Sequence, residues 1–425
     1  MLSGRELCRA HRIACGVRLV AVASVVSSAR GGSSLMSSGT GAAPSFRLIV
    51  TGGGTGGHTY PALTAVRTLQ ARLAGVGRSL DVLWVGVAGG LEERVATAEG
   101  IAFRSVATGK VRRSANPLKL VSPANVRDMS RVPLGVAQAR SIVSEFRPDV
   151  VLATGGYVAV PVGLAAKMCR RPLVVHEQTV RLGLANRSLA RAAARFAVSS
   201  EATLELLPEQ VRATAVVTGN PVRAEVLSGH AEKAVESLGL WGFERALPTV
   251  YVTGGAQGSQ QINELVRGIL PWLLSRANLV HQCGPANVEG LRPAAMALPA
   301  ELASRYFLTG YVGAELPDVL ALADVVVSRS GAGTIAELTA LGKPAVLVPL
   351  ASSAGNEQTH NAQHLEAQGA AVALVGEVDG AGLRGALEPL LADPGRRGQV
   401  GHRAQLLGRP DAAERLVDVL LDTAS

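Results

Sequence analysis

A short apolar strand ending in glycines, Leu48-Ile-Val-Thr-Gly-Gly53, returns later in the chain as Thr249-Val-Tyr-Val-Thr-Gly-Gly255. A second landmark repeats in the same order: Asp149-Val-Val-Leu-Ala-Thr-Gly-Gly156 has a counterpart in Asp324-Val-Val-Val-Ser-Arg-Ser-Gly331. Each leads through a helical stretch to a basic-Pro turn and another strand, Arg171-Pro-Leu-Val-Val175 and Lys343-Pro-Ala-Val-Leu-Val348. Between the landmarks, strands alternate with helices. One such helix runs from about Pro61 to Leu73 with apolar residues at Leu63, Val66, Leu69 and Leu73, and the next strand covers Asp81 to Gly86. This pattern predicts the α/β class, with two Rossmann-like parallel-sheet domains facing each other across a cleft. Right-handed crossovers would place the C-terminal strand ends of both sheets on that cleft.

The 425 residues suffice for two domains. The expected division is 45–223 for the first, 224–246 for a linker after Gly219-Asn-Pro-Val-Arg223, and 247–425 for the second. The last helical stretch, from about Ala412 to Leu421, is a candidate to pack back on the first domain. Residues 1–44 read as a targeting-like extension, or as the product of an upstream start codon with translation beginning at Met36. They carry Arg5, Arg9, Arg12, Arg18 and Arg30 against Glu6, so residues 1–46 hold +4 of the whole-chain +9. The remaining +5 suits anionic substrates or an anionic membrane surface. Nucleic acid is not an expected partner, because the few aromatics, 3% of residues, are not interleaved with the basic ones. The four cysteines have no C-x-x-C spacing, and no run of 18 apolar residues occurs.

Gly52, Gly54 and Gly57 form G-x-G-x-x-G between a strand and a helix, where backbone can approach a phosphate or sugar. The second strand lacks the acidic residue that a dinucleotide reading wants at its end. It closes Val85-Gly86-Val87-Ala88, with Glu92 and Glu93 only after two glycines. His58 ends the loop and is a candidate general base, imidazole being the side chain best suited to proton exchange near neutral pH. Glu177, in His176-Glu177-Gln178 after an apolar strand, is a candidate base, a sugar-hydroxyl acceptor or a helix cap. Ser330-Gly331-Ala332-Gly333-Thr334 opens a helix whose first N–H groups suit a pyrophosphate, and Glu337 offers acceptors for ribose hydroxyls. Asn356-Glu357-Gln358 and Asn361 form a polar cluster after another strand. No Asp-x-Asp and no metal-ligand spacing occur, so no cofactor or metal is expected, and Arg223 with helix N-termini would stabilise a departing diphosphate.

Together these segments resemble the MurG family of UDP-N-acetylglucosamine:lipid I transferases, which have the GT-B fold. The resemblance rests on Gly53-Gly-Thr-Gly-Gly-His58-x-x-Pro61, Gly155-Gly-Tyr157, His176-Glu-Gln178, Gly219-Asn-Pro-Val-Arg223, Gly254-Gly-x-Gln-Gly258, Arg329-Ser-Gly-Ala332 with Glu337, and Gln358-x-x-Asn361. It implies inverting transfer of GlcNAc from UDP-GlcNAc to the muramyl sugar of lipid I. His58 or Glu177 would be the base. Thr55, Gly56 and Gly57 would face donor sugar and acceptor, Arg223 the diphosphate, and Val312 the uracil through its backbone. Ser330 to Glu337 would hold diphosphate and ribose, and Gln358 the GlcNAc hydroxyls.

Two departures stand out: Thr179 where the family commonly has Asn, and Ala256 where it commonly has Ser. Both, with Gln257 and Asn361, are possible donor or acceptor contacts, so another lipid-phosphate or natural-product acceptor is an alternative. A binding module without catalysis would keep the donor residues and lose His58 and Glu177, whereas both are present. An epimerase-like enzyme sharing the two-domain fold would act on the donor without an acceptor. A lipid acceptor further implies peripheral attachment at the cytoplasmic face of the plasma membrane. Lys110, Arg112, Arg113 and Lys119, near Leu118, Leu120 and Val121, form a candidate docking patch.

Overall fold

The computed structural model describes residues 45–109 and 123–425. Strands β1 (Phe46–Thr51), β2 (Leu80–Gly86), β3 (Ala102–Ser105), β4 (Val150–Ala153), β5 (Leu173–Glu177), β6 (Arg195–Val198) and β7 (Val216–Val217) form the first sheet. Its order is β3-β2-β1-β4-β5-β6-β7, and every pairing is parallel. The second sheet contains β8 (Thr249–Thr253), β9 (Asn278–Gln282), β10 (Tyr306–Thr309), β11 (Val325–Ser328), β12 (Ala345–Leu347) and β13 (Val372–Ala373). Its order, β10-β9-β8-β11-β12-β13, repeats that of the first. In both sheets the order reverses beside the first strand, the topological switch point where such folds bind ligands.

The repeated landmarks make the same bonds in both halves. The Asp149 carboxylate accepts from the Arg47 N–H at 2.8 Å, and Asp324 accepts from the Thr249 N–H at 2.8 Å. Each aspartate also returns its own N–H to the carbonyl of that same residue at 2.8 Å. The two aspartates therefore pin the central strand pair of each sheet at its N-terminal end. The basic-Pro turns match as well, with Pro172 and Pro344 carbonyls each accepting at 2.9 Å from the second residue of the neighbouring strand, Val151 and Val326.

Strand alternation sends side chains to both faces of the first sheet: Ile49 joins one apolar cluster, and Phe46, Leu48 and Val50 join the other. The second cluster takes Leu63, Val66, Leu69 and Leu73 from the Gly56–Gly75 helix, as the sequence spacing predicts. It also takes Leu416, Val417, Val419 and Leu420 from the Ala412–Ala424 helix. The second domain thus ends near Leu407 rather than at residue 425, because the amphipathic last helix finds its apolar partner on the first sheet. The span 224–246 is likewise not a free linker. Its Ala231–Leu238 helix turns Ala234 inward, and Val226 and Leu240 join it in the core of the second domain. The polar residues that suggest a linker occupy only the outer face.

The chain crosses between domains at Gly219–Arg223 and again near Gly408–Asp411. The crossings touch at Gly219, where φ is +85° and a Cβ would lie 2.5 Å from that of Arg409. Only glycine accommodates both constraints.

Candidate active site in the interdomain cleft

The first glycine loop is shaped by a residue that sequence reasoning passed over. Glu92 is buried, and its carboxylate accepts from the N–H groups of Gly54 at 3.1 Å and Val87 at 3.0 Å. A Cβ at Gly53, Gly86 or Gly90 would lie within 2.7 Å of this side chain. The carboxylate that arrives too late for a dinucleotide ribose therefore folds under the loop and holds it. The local signal was a glutamate in a helix first turn, preceded in sequence by Gly86, Gly89 and Gly90.

Thr55 caps the Gly56–Gly75 helix without a side-chain bond and is exposed, while Gly56, Gly57 and half-buried His58 form its first turn. The His58 ring lies against the backbone of Gly155, which has φ of +106° and where a Cβ would come within 2.9 Å of the ring. Its Nδ1 is 2.9 Å from Gln178 Oε1. Gln178 Nε2 donates to the His176 carbonyl at 2.8 Å and lies 3.0 Å from His176 Nδ1. His176 Nε2 is 2.9 Å from the Gly219 carbonyl. His176 is fully buried, and desolvation lowers its pKa to about 4, with His58 nearby acting in the same direction, so it is neutral at physiological pH.

Glu177 does not stand beside His58 as a second base. Its carboxylate is buried and points into its own loop. Oε1 accepts from the Thr179 N–H at 3.3 Å and hydroxyl at 3.0 Å, and Oε2 accepts from Gly183 N–H at 2.8 Å and Asn186 Nδ2 at 3.0 Å. This is the cap alternative, since Gly183 precedes the Leu184–Leu189 helix. Thr179 is buried with it, so the residue that departs from the family pattern packs inside the loop rather than facing a substrate. Ala256 and Gln257 instead lie exposed on the loop after β8.

In the second domain the Ala332–Ala340 helix begins at Gly331 with no side-chain cap. Ile335 donates to the Gly331 carbonyl, so the N–H groups of Ala332, Gly333 and Thr334 precede the helical ladder, the kind of end that suits an anion. Ser330 is fully buried: its hydroxyl donates to the Gln358 carbonyl at 2.7 Å, and its carbonyl accepts from Asn361 Nδ2 at 3.1 Å. It supports the helix start from beneath. Asn361 is a bridge between domains, its Oδ1 accepting from Val180 N–H at 3.4 Å.

Arg223 and Glu337, expected at diphosphate and ribose, meet each other. Arg223 donates from Nε at 3.0 Å and Nη2 at 2.7 Å to the same oxygen, Glu337 Oε1. Burial holds the Glu337 carboxyl above its ordinary range, and the Arg223 guanidinium opposes that shift. Val312 N–H donates to Gln282 Oε1 at 3.2 Å, so its carbonyl is the backbone group left for a base contact. Gln358 Oε1 accepts from Leu350 N–H at 3.0 Å, leaving its amide NH2 for a hydroxyl. Arg329 is a clamp: it donates to Gln261, Ser259 and the carbonyls of Val348 and Pro349, joining the loops after β8, β11 and β12.

The Gly56–Gly75 helix, with His58 in its first turn, and the Ala332–Ala340 helix approach each other across the cleft. A cavity of about 450 Å³ adjoins it, lined by Gln178, Asn220, Ala332, Thr339, Asn361 and Arg409 among others. Among the described residues, no group of three or more His, Cys, Asp or Glu is gathered as a metal site, and no helix is long and apolar enough to cross a membrane. Lys110, Arg112, Arg113 and Lys119 lie outside the described residues.

Residues 48–198 match the glycosyltransferase family 28 N-terminal domain, and residues 249–416 match its C-terminal domain. A protein of Listeria welshimeri serovar 6b is 34% identical over 378 residues, covering 88% of this chain and 99% of that one. It is a UDP-N-acetylglucosamine–N-acetylmuramyl-(pentapeptide) pyrophosphoryl-undecaprenol N-acetylglucosamine transferase. A Bacillus cereus protein of the same name, numbered 2, is 37% identical over 332 residues, 78% of this chain and 87% of its own. The crystal structure of Acinetobacter baumannii MurG superposes with a TM-score of 0.67 at 25% identity, over 89% of this chain and 99% of that one.

Proposed function

The chain belongs to the MurG family within glycosyltransferase family 28, and from that premise we propose that it transfers GlcNAc from UDP-GlcNAc to lipid I, forming lipid II. The observation that carries the reading is that two helices approach across one cleft, one with His58 in its first turn and the other starting uncapped at Ala332. His58 takes the proton of the muramyl hydroxyl as that oxygen attacks the anomeric carbon. The C–O bond to the diphosphate breaks on the opposite face, giving inversion. Charge developing on the departing UDP falls at the N–H groups of Ala332 to Thr334 and at Arg223, a preorganised electrostatic contribution. In this reading Glu337, beside Arg223, takes ribose hydroxyls.

Two features bear on acceptor and location. Thr179 bonds within its own loop, which removes one of the two reasons to expect a different acceptor. Leu134, Leu164 and Met168 are exposed on the Pro123–Phe146 and Ala159–Met168 helices, which pack together and follow the segment carrying the basic patch. Exposed apolar residues on helices that follow a basic segment in the sequence suit peripheral attachment to an anionic leaflet at the cytoplasmic face. The test is transfer of radiolabelled GlcNAc to a short-chain lipid I analogue, with EDTA present. Labelled disaccharide-lipid is expected. UDP-GlcNAc binding without product would redirect the search to other acceptors, and product only after adding a divalent metal would overturn metal independence.

A further inference from the structure

Hydrogen-bond chemistry assigns every proton along the line that ends at His58. A carbonyl oxygen only accepts, so the His176 Nε2 that lies 2.9 Å from the Gly219 carbonyl must carry hydrogen. His176 is neutral in its buried position, so its Nδ1 holds a lone pair. The Gln178 amide is oriented independently: the atom 2.8 Å from the His176 carbonyl must be nitrogen, since an oxygen there would face another oxygen. The same NH2 supplies a proton to His176 Nδ1, agreeing with the tautomer deduced from the Gly219 end. Gln178 Oε1 therefore faces His58, and only an Nδ1–H on His58 can satisfy it at 2.9 Å.

We propose that His176 and Gln178 are positioning residues that hold His58 as its Nδ1–H tautomer, so that Nε2 carries the lone pair that accepts the acceptor hydroxyl's proton. The inference rests on the transferase reading above only for the use made of that lone pair. A neutral amide does here what a carboxylate does behind the histidine of a catalytic triad: it selects the tautomer and orients the ring. It does so without adding a negative charge to a cleft that must admit a diphosphate. The line starts at Gly219, on the crossing between domains, so the ring's tautomer is referenced to the same backbone that joins the two halves of the site. A merely structural glutamine would satisfy its neighbours equally well with either His58 tautomer. The fixed amide orientation excludes that indifference.

The ring nitrogens of the full chain, labelled with ¹⁵N-histidine, report the arrangement directly, because protonated and lone-pair nitrogens differ widely in chemical shift. The His58 signals among the eight histidines are identified by their loss in His58→Ala. The expected result above neutral pH is a protonated Nδ1 and an unprotonated Nε2 at His58; the opposite tautomer in the unaltered protein would overturn the proposal. Gln178→Met, similar in volume, should give averaged His58 signals and lower kcat by about 10- to 100-fold. Its KM for UDP-GlcNAc should stay within about twofold of the parent. Averaged signals with undiminished kcat would remove the positioning role. If the tautomer is as expected but His58→Ala retains turnover, the base reading fails while the proton arrangement stands.

Discussion

Each domain buries one neutral histidine in its sheet, and the two are near twins chemically. His176 in β5 and His281 in β9 both have their pKa lowered to about 4, burial being the leading cause for each. Both carry the proton on Nε2. For His281, Asn263 Nδ2 donates to the Cys283 carbonyl at 2.9 Å, which turns Asn263 Oδ1 toward His281 Nε2 at 3.1 Å. The Tyr306 hydroxyl lies 3.0 Å from His281 Nδ1, and burial raises its pKa, so it keeps its proton and donates. The difference is where each line of bonds goes next. That of His281 stops at Tyr306 inside its own domain, whereas that of His176 runs through Gln178 to half-buried His58 at the cleft. A buried polar chain is thus no mark of function by itself; what matters is whether its last member keeps a lone pair facing a place where a substrate can stand.

The contrast breaks most visibly at the two ends of the lines. His58→Ala should lower kcat by about 10²- to 10⁴-fold while leaving UDP binding intact, measured by steady-state kinetics and calorimetry. His281→Leu should leave turnover per folded molecule unchanged, yet cost about 1–3 kcal/mol in urea unfolding, because Asn263 and Tyr306 lose a partner. A fall in kcat for His281→Leu at unchanged stability would erase the distinction. Glu177 offers an intermediate case, being beside the catalytic line but not on it. Glu177→Gln places an NH2 group among donors that need acceptors, and should destabilise the protein by about 1–3 kcal/mol.

Acid treats the twins alike and so sharpens what they share. Unfolded histidine binds a proton near pH 6.5, whereas these two do so near 4. Between those values the unfolded chain holds more protons, so stability falls as pH drops from about 6.5 toward 4. Each group contributes roughly 1.4 kcal/mol per pH unit across that window. Half-buried His364, lowered by the same cause, acts in the same direction. Urea unfolding at intervals across the window should show this slope, and His281→Leu should reduce it. An unchanged slope would mean that His281 is not the group responsible.

Much of this architecture was legible from residue order. The duplicated landmarks predict two sheets with one topology because the same aspartate and proline must close the same hydrogen bonds twice. His58 could be placed since a strand, a glycine turn and a helix leave its position little choice. The rest depended on where side chains turn within loops, which spacing does not encode. Glu177 and Thr179 look equally ready to face substrate or fold inward until the path to Gly183 and Asn186 is known. Arg223 and Glu337, far apart in sequence, give no sign that they pair. Gln178 and His176 stood in a motif without an assigned role, since tautomer selection follows only from the Gly219 carbonyl lying within reach.

The helix Ala412–Ala424 carries a consequence for how the protein is made. Its buried Leu416, Val417, Val419 and Leu420 cover the first sheet and contribute roughly 1.5–3 kcal/mol each. A ribosome delivers that helix only after the whole second domain has emerged. The first domain therefore waits through synthesis of the second with an uncovered apolar groove beside the Gly56–Gly75 helix. The second domain, whose covering elements all arrive in order, has no such wait. Emergence of residues 412–424 is then the event that completes the half bearing the base.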